Sequence, residues 1–290
     1  MRWSHQPKTP LFWIRGFSLS NRRSRTVIII ICCSLILGIL LLGTQLLSQE
    51  GLEIDLESRN QVPSISHPFG TDWLGRDMFT RTLNGLSLSL WVGVLTASIS
   101  AIIGLVLGTV SATFGSKVDA VITWLIDVFL SLPHLVLIIL IAFAASGGVR
   151  GLIISITITH WMSLARLLRA EVLQIKTSDY VQLSLKLGHS PLWVARHHML
   201  PHLLPQFIVG LILQFPHAIL HEAGLTFLGL GLPPEIPAIG IILSESMGYL
   251  STGYWWLAVL PGVALLIAVK AFDMLGQSLR ALLDPHTSQG

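Results

Sequence analysis

AEVLQIKTSDYVQLSLKLGHSPLWVARHHMLPH, Ala170 to His202, is a polar and basic island between long apolar runs. Ser178 or Asp179 can cap a helix start, Gly188 fits the position just past its end, and Ser190-Pro191 can open another segment. Between the caps, Val181, Leu183, Leu185 and Leu187 alternate with period two, which is the pattern of a strand. The caps and the helix-forming neighbours outweigh that alternation. Read as a short helix, the stretch presents Tyr180, Leu183 and Leu187 as an apolar ridge, with Gln182 and Lys186 beside it. So short a helix is marginal in water and needs a partner groove. The other reading is a solvated loop lying on lipid headgroups, its basic residues drawn to anionic lipid.

Outward from this island the chain is lipid-loving. Of its 290 residues 52% are hydrophobic and 11% charged, with a mean hydropathy of +0.71. A soluble domain carries roughly 25% charge. Apolar runs of about 18 residues or more recur, enough to cross a hydrocarbon core of about 30 Å. The chain therefore reads as an all-α, multi-pass membrane protein. Its net charge of +3 raises a nucleic-acid partner. The basic residues cluster on one side of the membrane, however, which the positive-inside rule explains without nucleic acid. Cys32 and Cys33, adjacent in the first apolar run, read as small apolar helix residues.

Taken in order, residues 1–25 form a basic cytoplasmic tail without acids, and 26–47 a first span. That run is longer than the ~7–15 apolar residues of a cleaved signal, so it reads as an uncleaved helix. Residues 48–85 form an extracytoplasmic segment, acidic at first (Glu50, Glu53, Asp55, Glu57). Residues 86–285 hold five further spans: 86–113, 118–145 with Asp127 and Pro133, 151–168, 203–230 interrupted by Pro216, and 255–272. Residues 286–290 close the chain as a cytoplasmic tail. Six spans put both termini inside. Of the 18 Lys and Arg, four (Arg59, Arg76, Arg81, Arg150) then lie outside and fourteen inside or at inner helix ends.

No G-x-x-x-x-G-K-[ST] phosphate loop exists, so the chain cannot hydrolyse ATP by itself. It is a channel, an ion-coupled carrier, or the membrane half of a machine whose engine is another chain. No internal repeat supports a carrier. A zinc protease needs His-Glu-x-x-His, and Ala218 occupies the Glu place. A membrane enzyme thus lacks a complete catalytic set.

Polar residues inside spans mark candidate solute paths. In QFPHAILHEAGLTFLGLG, Gln214, His217 and His221 fall at i, i+3 and i+7 and share a helix face, with Gly210 and Gly224 beside them. Pro216 frees a backbone carbonyl nearby. His217 and His221, one turn apart, are spaced to touch one transition metal, and imidazole suits Ni²⁺. Glu222 next to them and His160 in the fourth span join the candidate path. The competing reading is that each His hydrogen-bonds a neighbouring helix. RHHMLPH, Arg196 to His202, reads as solvated, and His189 receives no role. In FGTDWLGRD, Gly70, Gly75 and the Asp72/Asp77–Arg76 charges suit a tightly turned extracytoplasmic cap with local ion pairs. Direct solute contact there is the other reading.

The island also resembles the docking loop of bacterial ABC importer membrane subunits: Glu-Ala-Ala, a Gly four residues later, then Ile-x-Leu-Pro. Aligned on Gly188, Gln182-Leu183-Ser184 stands for the first triplet and His198-Met199-Leu200-Pro201 for the end. Gly188, Leu200 and Pro201 match; the triplet and the Ile do not. HPFGTDWLGRDMFTR (His67 to Arg81), LTFLGLGLPPEIPAIG (Leu225 to Gly240) and LRALLDP (Leu279 to Pro285) resemble signatures of the dipeptide, oligopeptide and nickel permease family.

The resemblance implies a six-span subunit of the bacterial inner membrane, paired with a homologous second permease subunit. Two cytoplasmic ATPases, carrying the ATP and Mg that this chain does not bind, would grip Tyr180, Gln182, Leu183, Ser184, Leu187, Gly188, Leu200 and Pro201. An extracytoplasmic binding protein would deliver the solute. HAILHEAGLTFLGLG and HWMSLARLLR (His160 to Arg169) are similar to the nickel importer's second subunit, whereas dipeptide subunits tend to lack the His pair. The expected cargo is therefore nickel or a chelated transition metal, and the alternative is di- or oligopeptides.

Overall fold

The computed structural model describes residues 22–42 and 49–283. The predicted N-terminal tail up to residue 21, the end of the first span (43–47) and the tail 286–290 lie outside the described residues. Among the described residues no strand forms beyond one isolated bridge, Thr71 with Asp77. The helices are α1 (Arg22–Leu42), α2 (Met78–Thr113), α3 (Ser116–Leu130), α4 (His134–Ala144), α5 (Gly148–Lys176), α6 (Asp179–Lys186) and α7 (Pro191–Val194). After a π-helical turn at Ala195–Met199 come α8 (Leu200–Phe227), α9 (Ile239–Leu250) and α10 (Trp256–Leu283).

Five of these stretches are long and apolar enough to cross a bilayer: α1, α2, α5, the 191–227 run and α10. The predicted third span is two helices. Pro133 lacks an N–H and disfavours helical backbone in the residue before it. Accordingly α3 stops at Leu130, and α4 restarts at His134 with an axis bent by 98°. Counted as one, the pair makes a sixth span.

The other differences lie at helix ends, because caps rather than apolar windows end helices. The second span starts at Met78, eight residues before the predicted Leu86, where the Asp77 carboxylate accepts from the Thr80 N–H at 2.7 Å. The fifth ends at Phe227 and the sixth runs on to Leu283. Within the predicted 231–254 loop lies an unforeseen helix, α9.

α2 is the centre of the bundle and packs against α5 and α8, while α1 lies on α10. Where α2 meets α5, side chains vanish. A Cβ on Gly104 would come within 2.9 Å of the Trp161 carbonyl oxygen, and one on Gly108 within 2.7 Å of that of Ala165. This is the small-residue approach that apolar helices use where no hydrophobic effect drives them together. α3 is tied to α5 by ions: Arg169 grips Asp119 with Nε at 2.5 Å and Nη2 at 2.6 Å, and Arg166 Nη2 reaches Asp127 at 2.5 Å. Large apolar side chains such as Trp91, Ile102 and Leu266 stay exposed on the outer faces, as a lipid-facing surface demands.

At the end opposite α6, residues 49–77 fold into a cap. Gly70 and Gly75 adopt φ +72° and +80°, and a Cβ at Gly75 would overlap the Asp55 carbonyl. The Asp55 carboxyl is held below the usual range by the Ser58 hydroxyl, then by the Glu57 N–H. The buried Asp72 accepts from the Leu74 and Arg76 N–H groups (both 2.9 Å), Arg76 Nε (2.8 Å) and Arg81 Nη1 (3.1 Å). Arg81 then reaches Glu245 of α9 at 2.6 Å. Asp77 does not pair with Arg76: it caps α2 and meets His67 Nδ1 at 3.0 Å. The predicted ion pairing is thus partly redrawn, because α9 supplies an acid that the local sequence does not contain.

Two outcomes test this packing. Gly108→Ala should destabilise the chain by the ~1–3 kcal/mol typical of overpacking and so lower the temperature at which the detergent-solubilised protein loses monodispersity. Gly248→Ala, with no atom within 4 Å of the added Cβ, should leave it unchanged or raise it. Arg81→Ala takes one of two arginines from the buried Asp72 and the closest cation from Glu245, and should cost about 1–3 kcal/mol in the same melt. An unchanged midpoint would remove Arg81 from the cap's support.

Candidate functional site

Two regions hold the candidate functional residues. The first is α6. Gly188, at φ +90°, donates its N–H to the Leu185 carbonyl at 3.1 Å, and His189 donates to Ser184 at 3.2 Å. These two bonds form a Schellman close, which needs a left-handed residue at that position. The N-terminal cap is weaker than its sequence suggests. Ser178 has the extended backbone of a cap, but its hydroxyl donates back to the Ile175 carbonyl at 2.6 Å.

The period-two alternation resolves into two helical stripes. Val181 and Leu185, four apart, turn inward against a cluster that includes Leu168, Val172, Val194 and Leu203. Leu183 and Leu187, also four apart, point out with Tyr180, at 58%, 70% and 47% exposure. A helix read two residues at a time mimics a strand when both of its sides are apolar. Gln182 Nε2 donates to the Lys176 carbonyl at 2.8 Å, tying α6 to the end of α5.

The neighbouring histidines are packed rather than simply solvated. Trp193 is stacked between His189 (3.8 Å between centroids) and His197 (4.3 Å), and His198 meets its edge. His198 Nε2 also contacts the Ser184 hydroxyl at 3.0 Å, so the aromatic stack holds the exposed ridge in place. Leu200 and Pro201 open α8 just behind it.

The second region lies inside the bundle. His134 begins α4, His160 sits in α5 and His221 in α8. At 1.5 Å rise per residue they lie about 15, 18 and 9 Å from the ends of those helices nearest the cap. Their ring centroids form a near-equilateral triangle of 4.9, 5.0 and 5.1 Å, with interplanar angles of 70–78°. One nitrogen of each ring lies within 4.8 Å of those of the other two. His160 Nδ1 faces the Ile156 carbonyl at 2.9 Å, and His221 Nδ1 faces the His217 carbonyl at 2.7 Å. Since a carbonyl only accepts, both Nδ1 atoms carry the proton and both Nε2 atoms are acceptors. His160 is buried, and its Nε2 has no hydrogen-bond partner among the described residues.

The predicted His217–His221 pair therefore does not meet at one point. His217 is exposed and outside the cluster. Its backbone carbonyl, rather than its ring, serves His221. Gln214 Nε2 donates to the His160 backbone carbonyl at 2.9 Å, beside the cluster. Glu222 is fully buried and accepts from Thr226 Oγ1 at 2.9 Å, which in turn accepts from the Leu232 N–H. It braces the loop after α8 rather than lining an open path. His134 was missed because helical spacing reports on one helix at a time. The available signal was a histidine inside the apolar run PHLVLIIL.

Residues 78–289 match the family model of binding-protein-dependent transport system inner membrane components. The chain is 36% identical over 230 residues to the dipeptide transport system permease protein DppC of Bacillus subtilis (strain 168), covering 79% of this chain and 72% of that one. It is 35% identical over 231 residues to the oligopeptide transport system permease protein OppC of the same organism, covering 80% and 75%. Among solved structures, the fold is like that of the inward-facing MetNI methionine ABC transporter, with a TM-score of 0.59 and 20% identity over 71% of this chain and 98% of that one. The predicted all-α permease architecture is the one observed, and the chain belongs to the family of binding-protein-dependent ABC transporter inner-membrane permeases.

Proposed function

We propose that this chain forms half of the membrane path of an importer, paired with a homologous second subunit and driven by two separate ATPases docked on α6. The carrying observation is the ridge of Tyr180, Leu183 and Leu187, three large apolar side chains on an eight-residue helix and its C-cap that stay 47%, 58% and 70% exposed among the described residues. Exposed apolar surface on so short a helix fits a groove on another protein. Lys117, Arg169, Lys176, Lys186, Arg196 and Arg280 gather at this end of the bundle, which supports a cytoplasmic side there. On this reading both termini are cytoplasmic. ATP and Mg belong to the docked ATPases, and a binding protein meets the capped end. A self-powered channel or carrier would have no use for the ridge.

ATP can act on this subunit only if α6 is held differently in the two states of the engine. The names of the curated relatives favour short peptides as cargo. A second reading, nickel or a chelated transition metal, is favoured by the meeting of His134, His160 and His221.

Gly188→Val forces a branched side chain into left-handed backbone, costing at least ~1–2 kcal/mol at the end of α6. In the complex reconstituted with its ATPases, solute-stimulated hydrolysis and uptake should fall at least tenfold while membrane insertion is unchanged. Normal stimulated uptake in that variant would refute docking through α6. Uptake of labelled dipeptide and of labelled Ni²⁺ by the same wild-type complex separates the two cargo readings.

A further inference from the structure

We infer that His134, His160 and His221 form a three-imidazole site for a divalent transition-metal ion within the bundle. The site deepens the transition-metal reading above and rests on it only for its part in transport. Three residues separated by 26 and 61 positions in the chain converge from three helices into one triangle. Mutual hydrogen bonding does not account for it: no hydrogen bond joins the rings among the described residues, and they meet edge to face. Two of the rings have their Nδ1–H bound to backbone carbonyls of their own helices, at 2.9 and 2.7 Å. That is the arrangement by which proteins fix a metal-binding histidine, holding the tautomer so that the Nε2 lone pair faces the ion.

The independent observation is His160 Nε2. It is an acceptor on a residue that is only 7% exposed, with no partner among the described residues. An unpaired acceptor is unfavourable in an apolar bundle, and a cation would take up its lone pair. Metal–nitrogen bonds of about 2.0–2.1 Å place the ligand atoms roughly 3.0–3.4 Å apart. The present separations, up to 4.8 Å, must therefore close by as much as about 1.4–1.8 Å. His134 is the first residue after the 98° break between α3 and α4, where backbone adjustment is least constrained.

The chemistry of the donors narrows the ligand. Three neutral imidazoles suit Ni²⁺, Co²⁺, Cu²⁺ or Zn²⁺ rather than Mg²⁺ or Ca²⁺, which prefer oxygen. Among the described residues no carboxylate joins the cluster: Glu222, next in sequence to His221, accepts from Thr226 through Oε1 and lies outside the triangle. A buried dication with only neutral ligands is poorly compensated. The ion's remaining positions are thus suited to anionic donors that arrive with it, such as the carboxylate of an amino-acid-like or peptide chelator.

The test uses the full-length chain, co-assembled with its partner subunits in lipid nanodiscs. Co²⁺ is titrated by its visible absorption, and Ni²⁺ by equilibrium dialysis with elemental analysis. His160→Gln and His134→Gln should each weaken binding of the tightest ion at least tenfold. His217→Gln should leave it unchanged, since its ring is outside the cluster. Thermal melts without metal establish that each variant is folded, and a metal-dependent rise in midpoint should occur in wild type and vanish in His160→Gln. Undiminished binding in both His160→Gln and His134→Gln, or no saturable binding in wild type, would overturn the site. If binding behaves as expected but the reconstituted complex takes up dipeptide and no Ni²⁺, the site stands and the metal-cargo reading falls.

Discussion

The backbone contact between α2 and α5 at Gly104 and Gly108 positions almost everything else. Helices in lipid gain nothing from burying apolar groups against one another, so they associate where their backbones can approach. That contact fixes α5, and α5 links the two functional regions. It carries His160 along its length and delivers the chain directly into α6. α8 makes the same connection in reverse, from the π-helical turn beside the docking ridge up to His221. The proposed docking surface and the histidine cluster are therefore joined by two continuous helices.

The polar groups of the bundle separate into two kinds by how completely they are paired. Around Asp72 every strong donor is used: two backbone N–H groups and two arginines converge on one carboxylate, and Glu245 takes the remaining arm of Arg81. Such a network holds a long polar segment against the membrane end of the bundle. Around His160 the pairing stops halfway, with Nδ1 bound and Nε2 open. Both sites are buried, the first in the cap and the second among the helices. A satisfied network supports the fold, whereas an open lone pair in a triangle of three is chemistry held ready for a ligand.

The apolar runs and basic asymmetry of the sequence determined the helical membrane architecture. Gly188 and the Tyr180–Leu183–Leu187 ridge were legible too, because a helix of known period ending at a left-handed residue is a local object. Even the misleading alternation in α6 contained its answer, as two stripes four residues apart. The 98° break was half-visible in Pro133, but its angle depends on what α4 packs against. α9 and its Glu245 were hidden in a stretch of Gly and Pro. Only the tertiary structure decided which histidines meet. Spacing along α8 placed His217 and His221 on a shared face, yet the His221 ring bonds the His217 backbone carbonyl and meets partners 61 and 87 residues away. Periodicity describes the face of one helix; a site shared by three helices exists only once their crossings are set.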